Sequence, residues 1–252
     1  MAGHSKWANI KRQKARVDAL KGQTFAKLSR EIIVAARMGL PDPAGNFRLR
    51  TAIEKAKAAG MSQENIERAI AKGAGRLGPD TENLESVRYE GYAPGGVAVL
   101  IEALTDNRNR TAGEIRAAFN KHGGNLGETG CVGWMFTQVG WIPVTGVTTE
   151  EDLLALALEV GATSYEWDAE TPALLTDPQD LDRVAAAVQV KGYGVEGATT
   201  RWQPTTTVTI TDPDQARKVL RLLDVLEDLD DVQSVTANFE MDEALLGATM
   251  GL

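Results

Sequence analysis

The chain has 252 residues, 43% of them hydrophobic, enough to bury a core in one large domain or in two to three small ones. Its single cysteine, Cys131, excludes an internal disulfide framework, and the small number of histidines, His4 and His122, argues against a structural zinc site. A formal net charge of -8 argues against a polyanion partner for the chain as a whole, but that charge is unevenly placed.

The first segment, HSKWANIKRQKAR from His4 to Arg16, holds Lys6, Lys11, Arg12, Lys14 and Arg16 and no acid. No apolar stretch follows to make a secretory signal, and the segment is poor in the serine of a transit peptide. No run approaches the roughly 20 apolar residues of a membrane helix. Residues 1–78 carry 16 Lys/Arg and 6 Asp/Glu, a net of +10, which leaves 11 bases and 29 acids, a net of -18, for the remainder. A basic module on an acidic body suits local binding of nucleic acid; the same split also suits a basic module that docks on the body itself.

After this arm the period is helical. KGQTFAKLSREIIVAARMG places Phe25, Leu28, Ile32, Ala35 and Ala36 on one stripe and ends at Gly39 with Pro41 and Pro43. Asn46 is positioned to cap a second helix ending at Gly60, and Ser62 a third carrying Ile66 and Ile70. GRLGPDTENLES reads as a linker.

Beyond it the pattern changes. SVRYEGYAP and GVAVLIEALTD read as strands joined across Pro94-Gly95-Gly96, RTAGEIRAAFNKHG as a helix, and CVGWMF as extended chain. VGWIPVTG, EEDLLALALEVGA, TSYEWDAE, ALLTD, PQDLDRVAAAVQVKG and GATTRWQP then give βαββαβ, a ferredoxin-like order. The closing strand, helix and strand of TTTVTI, PDQARKVLRLLDVLEDL and VQSVTANFE are too few to stand alone and complete the unit begun near residue 86. The expected class is α+β: an N-terminal helical domain plus two α/β (ferredoxin-like) domains, one inserted into the other. The expected boundaries are 1–78, a split domain of 79–136 and 205–240, an insert of 137–204, and a C-terminal tail of 241–252.

Chemistry is sparse. Cys131 reads as a small hydrophobe in a strand. GGNLGETG follows a helix rather than opening one, so a helix end and turn explain it without a phosphate. Glu102 and Asp106 near a strand end, with Glu114 one turn into the next helix, could hold Mg²⁺ beside a phosphate, as a nuclease on branched DNA needs. The favoured reading of TAGE is instead a capping box, with Thr111 as the cap and Glu114 as its partner. Phosphate contact is expected from Lys6, Lys11, Arg12, Lys14, Arg16, Lys21, Lys27 and Arg30, with a second patch at Arg108, Arg110 and Lys121.

AGHSKWANIKRQK, KLSREIIVAARMG and TDNRNRTAGEIRAAFNKHGGNLGETGCVGWMF together resemble the YebC/PmpR family over essentially the whole chain. The resemblance implies a helical N-terminal domain and two α/β domains, one inserted in the other. It implies a DNA-binding transcriptional regulator or, as in mitochondrial relatives, a translation factor at the ribosome. It supplies no catalytic residues. The expectation is a cytoplasmic, nucleic-acid-binding regulator, DNA-directed first and RNA- or ribosome-directed as the alternative, a monomer first and an oligomer as the alternative. No cofactor is expected, and Mg²⁺ enters only with the nuclease reading.

Overall fold

Apolar residues every three to four positions make amphipathic helices, and three of them open the described chain: α1 (Lys21–Met38), α2 (Phe47–Ala58) and α3 (Gln63–Gly73). The computed structural model describes residues 21–76, 84–195 and 197–250. Asn46 and Ser62 cap α2 and α3, their side chains accepting from the Leu49 and Asn65 amides. The stripe read from the sequence closes a small core, in which Ile32, Leu49, Ala52, Ala56 and Ile66 are fully buried and Phe25 and Leu28 pack against it. Burying one such Leu or Ile contributes about 1.5–3 kcal/mol. Gly73 permits the close approach of α1 and α3: a Cβ there would lie 2.5 Å from the Ile33 carbonyl oxygen.

The α/β part begins with β1 (Glu85–Ala93) and β2 (Val97–Thr105), paired antiparallel from Glu85↔Thr105 to Ala93↔Val97. Then come α4 (Arg108–Lys121), β3 (Asn125–Leu126) and a one-turn helix at Gly133–Met135. After the insertion, β9 (Val208–Thr209), α7 (Pro213–Glu227), β10 (Val232–Ala237) and β11 (Phe239–Glu240) complete it. The sheet order is β10-β2-β1-β3, so a strand near the C-terminus, β10, pairs with one finished by residue 105. Ile115 and Phe119 of α4 and Val219, Leu222, Leu223 and Leu226 of α7 share one core with Val97, Val99 and Ile101 of β2. Asn238 divides the last strand: its side-chain oxygen accepts from the Ala98 amide at 2.7 Å, and Phe239 then pairs parallel with Val208.

The second unit is Thr137–Gln203, inserted between Phe136 and Pro204 of the first. With Phe136 as its first strand residue it runs β4 (Phe136–Thr145), α5 (Glu150–Val160), β5 (Ser164–Glu166), β6 (Ala173–Thr176), α6 (Leu181–Val190), β7 (Gly194–Val195) and β8 (Thr199–Pro204). The order β5-β6-β4-β7, with β8 also on β4, is the ferredoxin-like arrangement. Ile142, Leu153, Ala173, Leu174, Val184 and Val188 are among its fully buried residues. Thr149 caps α5 by accepting from the Asp152 amide, and the acids of the first turn complement the helix dipole. The α+β class read from the sequence holds.

Three local readings change. Residues 241–252 are not simply a tail: α8 (Glu243–Met250) forms there, because Leu246 is buried in the core of the split domain and Asp242 accepts from the Leu245 amide at the helix start. TTTVTI contributes only two strand residues, Val208 and Thr209. Cys131 lies in a turn before the Gly133–Met135 helix and is half-buried, not in a strand.

Candidate nucleic-acid interface

Lys6, Lys11, Arg12, Lys14 and Arg16, the densest part of the expected interface, lie outside the described residues, and Lys21 is the first residue of α1. The other cations can be followed individually. Lys27 donates to the Glu227 main-chain carbonyl. Arg30 donates to the Asp230 carbonyl at 2.5 Å and pairs with the Asp231 carboxylate at 3.0 Å. The cationic side of α1 is therefore set against the C-terminal end of α7, where unpaired carbonyls and the helix dipole favour positive charge. Of the acids of LEDLDD, which oppose that dipole, Asp231 thereby gains a cationic partner for its carboxylate.

Asp231 is the centre of this contact, and it is 2% exposed. Its Oδ2 accepts from Arg110 at 2.7 Å, from the Thr111 hydroxyl at 2.7 Å and from the Thr105 hydroxyl at 3.1 Å. Thr105 in turn accepts from the Asn107 amide at 2.9 Å. Burial pushes the Asp231 carboxyl up, but the hydrogen bonds from Arg110, Thr111 and Thr105 and the charge of Arg30 outweigh it, and the net shift is down. Two arginines from distant parts of the chain thus converge on one buried carboxylate. No local spacing signals this cluster, because Asp231 reaches Arg30 and Arg110 only through the pairing of β10 with β2.

The second patch does not gather. Arg108 pairs with Glu85 at 2.5 Å, and Arg110 with Asp106 as well as Asp231, both at 2.7 Å. Lys121 is exposed at the other end of α4, roughly 16–20 Å away along the helix.

The carboxylate set does not gather either. Successive residues of a strand face opposite ways, so Glu102 lies on the sheet face away from Ile101 and the helices, where its Oε2 accepts from Ser234 at 2.8 Å. Asp106 is engaged by Arg110, and Glu114 is exposed on α4. Among the described residues, no group of three His, Cys, Asp or Glu side chains is arranged to hold a metal ion. The capping box is also corrected. Asn107, not Thr111, caps α4, accepting from the Arg110 amide at 3.1 Å. Thr111 falls inside the first turn, fully buried, with its hydroxyl on Asp231.

A second buried carboxylate organises the turn that contains Cys131. Glu90 is 1% exposed, and its Oε2 accepts from the Val132 amide at 2.9 Å and the Gly133 amide at 2.6 Å. Burial raises its pKa, but the amides of Val132, Gly130 and Gly133 and the charge of Arg88 bring it below the usual carboxylate range. The amide-rich GCVG turn is thus filled by the protein's own anion. Burial, and then the nearby Glu90, push the Cys131 thiol up, so it is no nucleophile poised at neutral pH. No described helix is long and apolar enough to cross a membrane.

What the geometry defines is an α+β protein whose basic helical part is seated on the acidic end of a split α/β domain by an ion pair and by cations on main-chain carbonyls. The family model of the TACO1/YebC protein N-terminal domain matches residues 5–76, and that of the TACO1/YebC second and third domain matches residues 84–239. The chain belongs to the TACO1/YebC family. It is 61% identical over 250 residues to a probable transcriptional regulatory protein of Trichormus variabilis, with 99% of each chain covered. It is 62% identical over 250 residues to another of that description from Cyanothece sp., with 98% of each covered. The crystal structure of a conserved hypothetical protein from Aquifex aeolicus is 53% identical and superposes with a TM-score of 0.84, covering 91% of this chain and 94% of that one.

Proposed function

We propose that this protein is a nucleic-acid-binding regulator, specifically a DNA-binding transcriptional regulator, that meets phosphate through its N-terminal basic segment. The observation that carries the reading is the charge division of +10 over residues 1–78 against -18 over the rest. Cations neutralise phosphate and release counterions, which supplies most sequence-independent affinity, and the acidic remainder repels phosphate, so phosphate contact concentrates on the basic segment. The names of the 61–62% identical relatives support the regulatory reading. Because Lys27, Arg30, Arg108 and Arg110 are engaged within the protein, the contact is assigned to Lys6, Lys11, Arg12, Lys14, Arg16 and Lys21, with Lys121 as an exposed addition.

The test is anisotropy titration of duplex DNA and of a structured RNA, at several salt concentrations, with the wild type and a Lys11→Glu, Arg12→Glu double variant. The variant is expected to bind at least about tenfold more weakly, with a shallower salt dependence by roughly 0.9 per lost phosphate contact, and to melt as the wild type does. Unchanged affinity in a normally melting variant overturns the assignment. A wild-type preference for the RNA moves the reading to translation.

A further inference from the structure

Trp134 is 69% exposed, yet it stands on a stretch tied by hydrogen bonds on both sides. Its indole N–H donates to the Cys131 carbonyl at 3.2 Å, which fixes the ring. The same carbonyl accepts from the Tyr92 hydroxyl at 3.1 Å. On the N-terminal side, Glu90 holds the Val132 and Gly133 amides, and the Val132 side chain is fully buried. On the C-terminal side, the Met135 carbonyl accepts from the Thr205 amide at 2.8 Å and its hydroxyl at 3.0 Å. Leu154 and Leu158 on α5, also exposed, protrude instead from a helix surface.

From this geometry we infer that Trp134 is a stacking platform for an unpaired nucleobase. Holding a large apolar ring in water gives no folding benefit, whereas a rigid, oriented aromatic loses little entropy when it captures a partner. With its N–H used internally, the indole presents only its π-faces. It therefore suits a planar ring that stacks without hydrogen-bond readout, as bases do on the aromatics of single-strand-binding proteins. The inference rests on the nucleic-acid reading above and adds to it a base contact, distinct from the phosphate contacts of the N-terminal segment.

The experiment compares wild type, Trp134→Ala and Trp134→Phe on three labelled probes: a short mixed-sequence single-stranded DNA, RNA of the same sequence, and the DNA duplex. Trp134→Ala should weaken binding to single strands about tenfold, while the duplex changes by less than about twofold and the salt slope on every probe stays as in the wild type. Trp134→Phe, which keeps a π-face, should recover most of the loss. The larger effect of the two single strands identifies DNA or RNA as the source of the base. Equal single-strand affinity for wild type and Trp134→Ala overturns the inference and leaves the indole to a protein partner. An equal loss on duplex and single strands, or a changed salt slope, overturns it too, since neither is a stacking signature. A wild type that binds none of the probes removes the nucleic-acid reading itself, and this inference with it.

Discussion

Asp231 concentrates more of this protein's electrostatics than any motif visible beforehand. Neutralising this buried carboxylate costs about 1.5–3 kcal/mol, the worth of its charge-assisted hydrogen bonds, since Arg30 and Arg110 keep contact with water and Arg110 keeps Asp106. Asp231→Asn should therefore be destabilising at neutral pH, although its shape is nearly unchanged. The pH dependence follows from a carboxyl whose folded pKa lies below its unfolded value. Its contribution is complete above the unfolded pKa of about 3.9 and is lost as pH falls from there through the folded pKa. Denaturant melts between neutral and strongly acid pH should show wild-type stability falling steeply below about pH 4 and the Asp231→Asn curve falling less. Parallel curves would mean that Asp231 is not the group that sets the acid limb.

At the scale of elements, the start of α4 separates two roles that the sequence merges. Asn107 supplies the cap, and Thr111 reaches inward to Asp231. Asn107→Ala should cost about 1 kcal/mol of stability. Thr111→Val should cost about 1–3 kcal/mol, by stripping a hydrogen bond from a buried carboxylate. Glu114→Ala, on an exposed face, should change stability by less than about 0.5 kcal/mol. A Thr111–Glu114 capping box would instead make Glu114→Ala comparable to a cap deletion, so urea melts of the three variants decide between them. Helices and strands with strong periods were legible: the Phe25–Ala36 stripe, the β1–β2 pair and the βαββαβ insert all follow from patterns of 3.6 and 2. α8 was not, since EALLGATM has no clear polar face and owes its order to the burial of Leu246 in the core of the split domain. Thr111 was misread because TAGE fits a cap locally, whereas its actual role depends on a partner 120 residues away.

For the whole molecule, the charge division was legible as a sum, but the destination of each charge was not. Lys27 and Arg30 are as basic as the residues before them, yet they serve to seat α1 on the end of α7, a contact made by chain segments 200 residues apart. A charge-assisted hydrogen bond contributes about 1.5–3 kcal/mol. Replacing both Lys27 and Arg30 by alanine should therefore speed amide exchange across α1–α3 by at least about tenfold. Exchange in Thr137–Gln203 should stay at wild-type rates, because that unit has its own core. Faster exchange throughout would show that the seam stabilises the molecule globally. The nested layout also sets an order of events at the ribosomal exit. The insert is contiguous, so its last structural residue emerges while α7 and β10 are still being made. The host sheet must wait, because β2 has its open edge covered only when residues 232–237 arrive. For that interval the strand Val97–Thr105, apolar along nearly its whole length, is an unprotected edge in the nascent chain, and the guest is finished before the house that holds it.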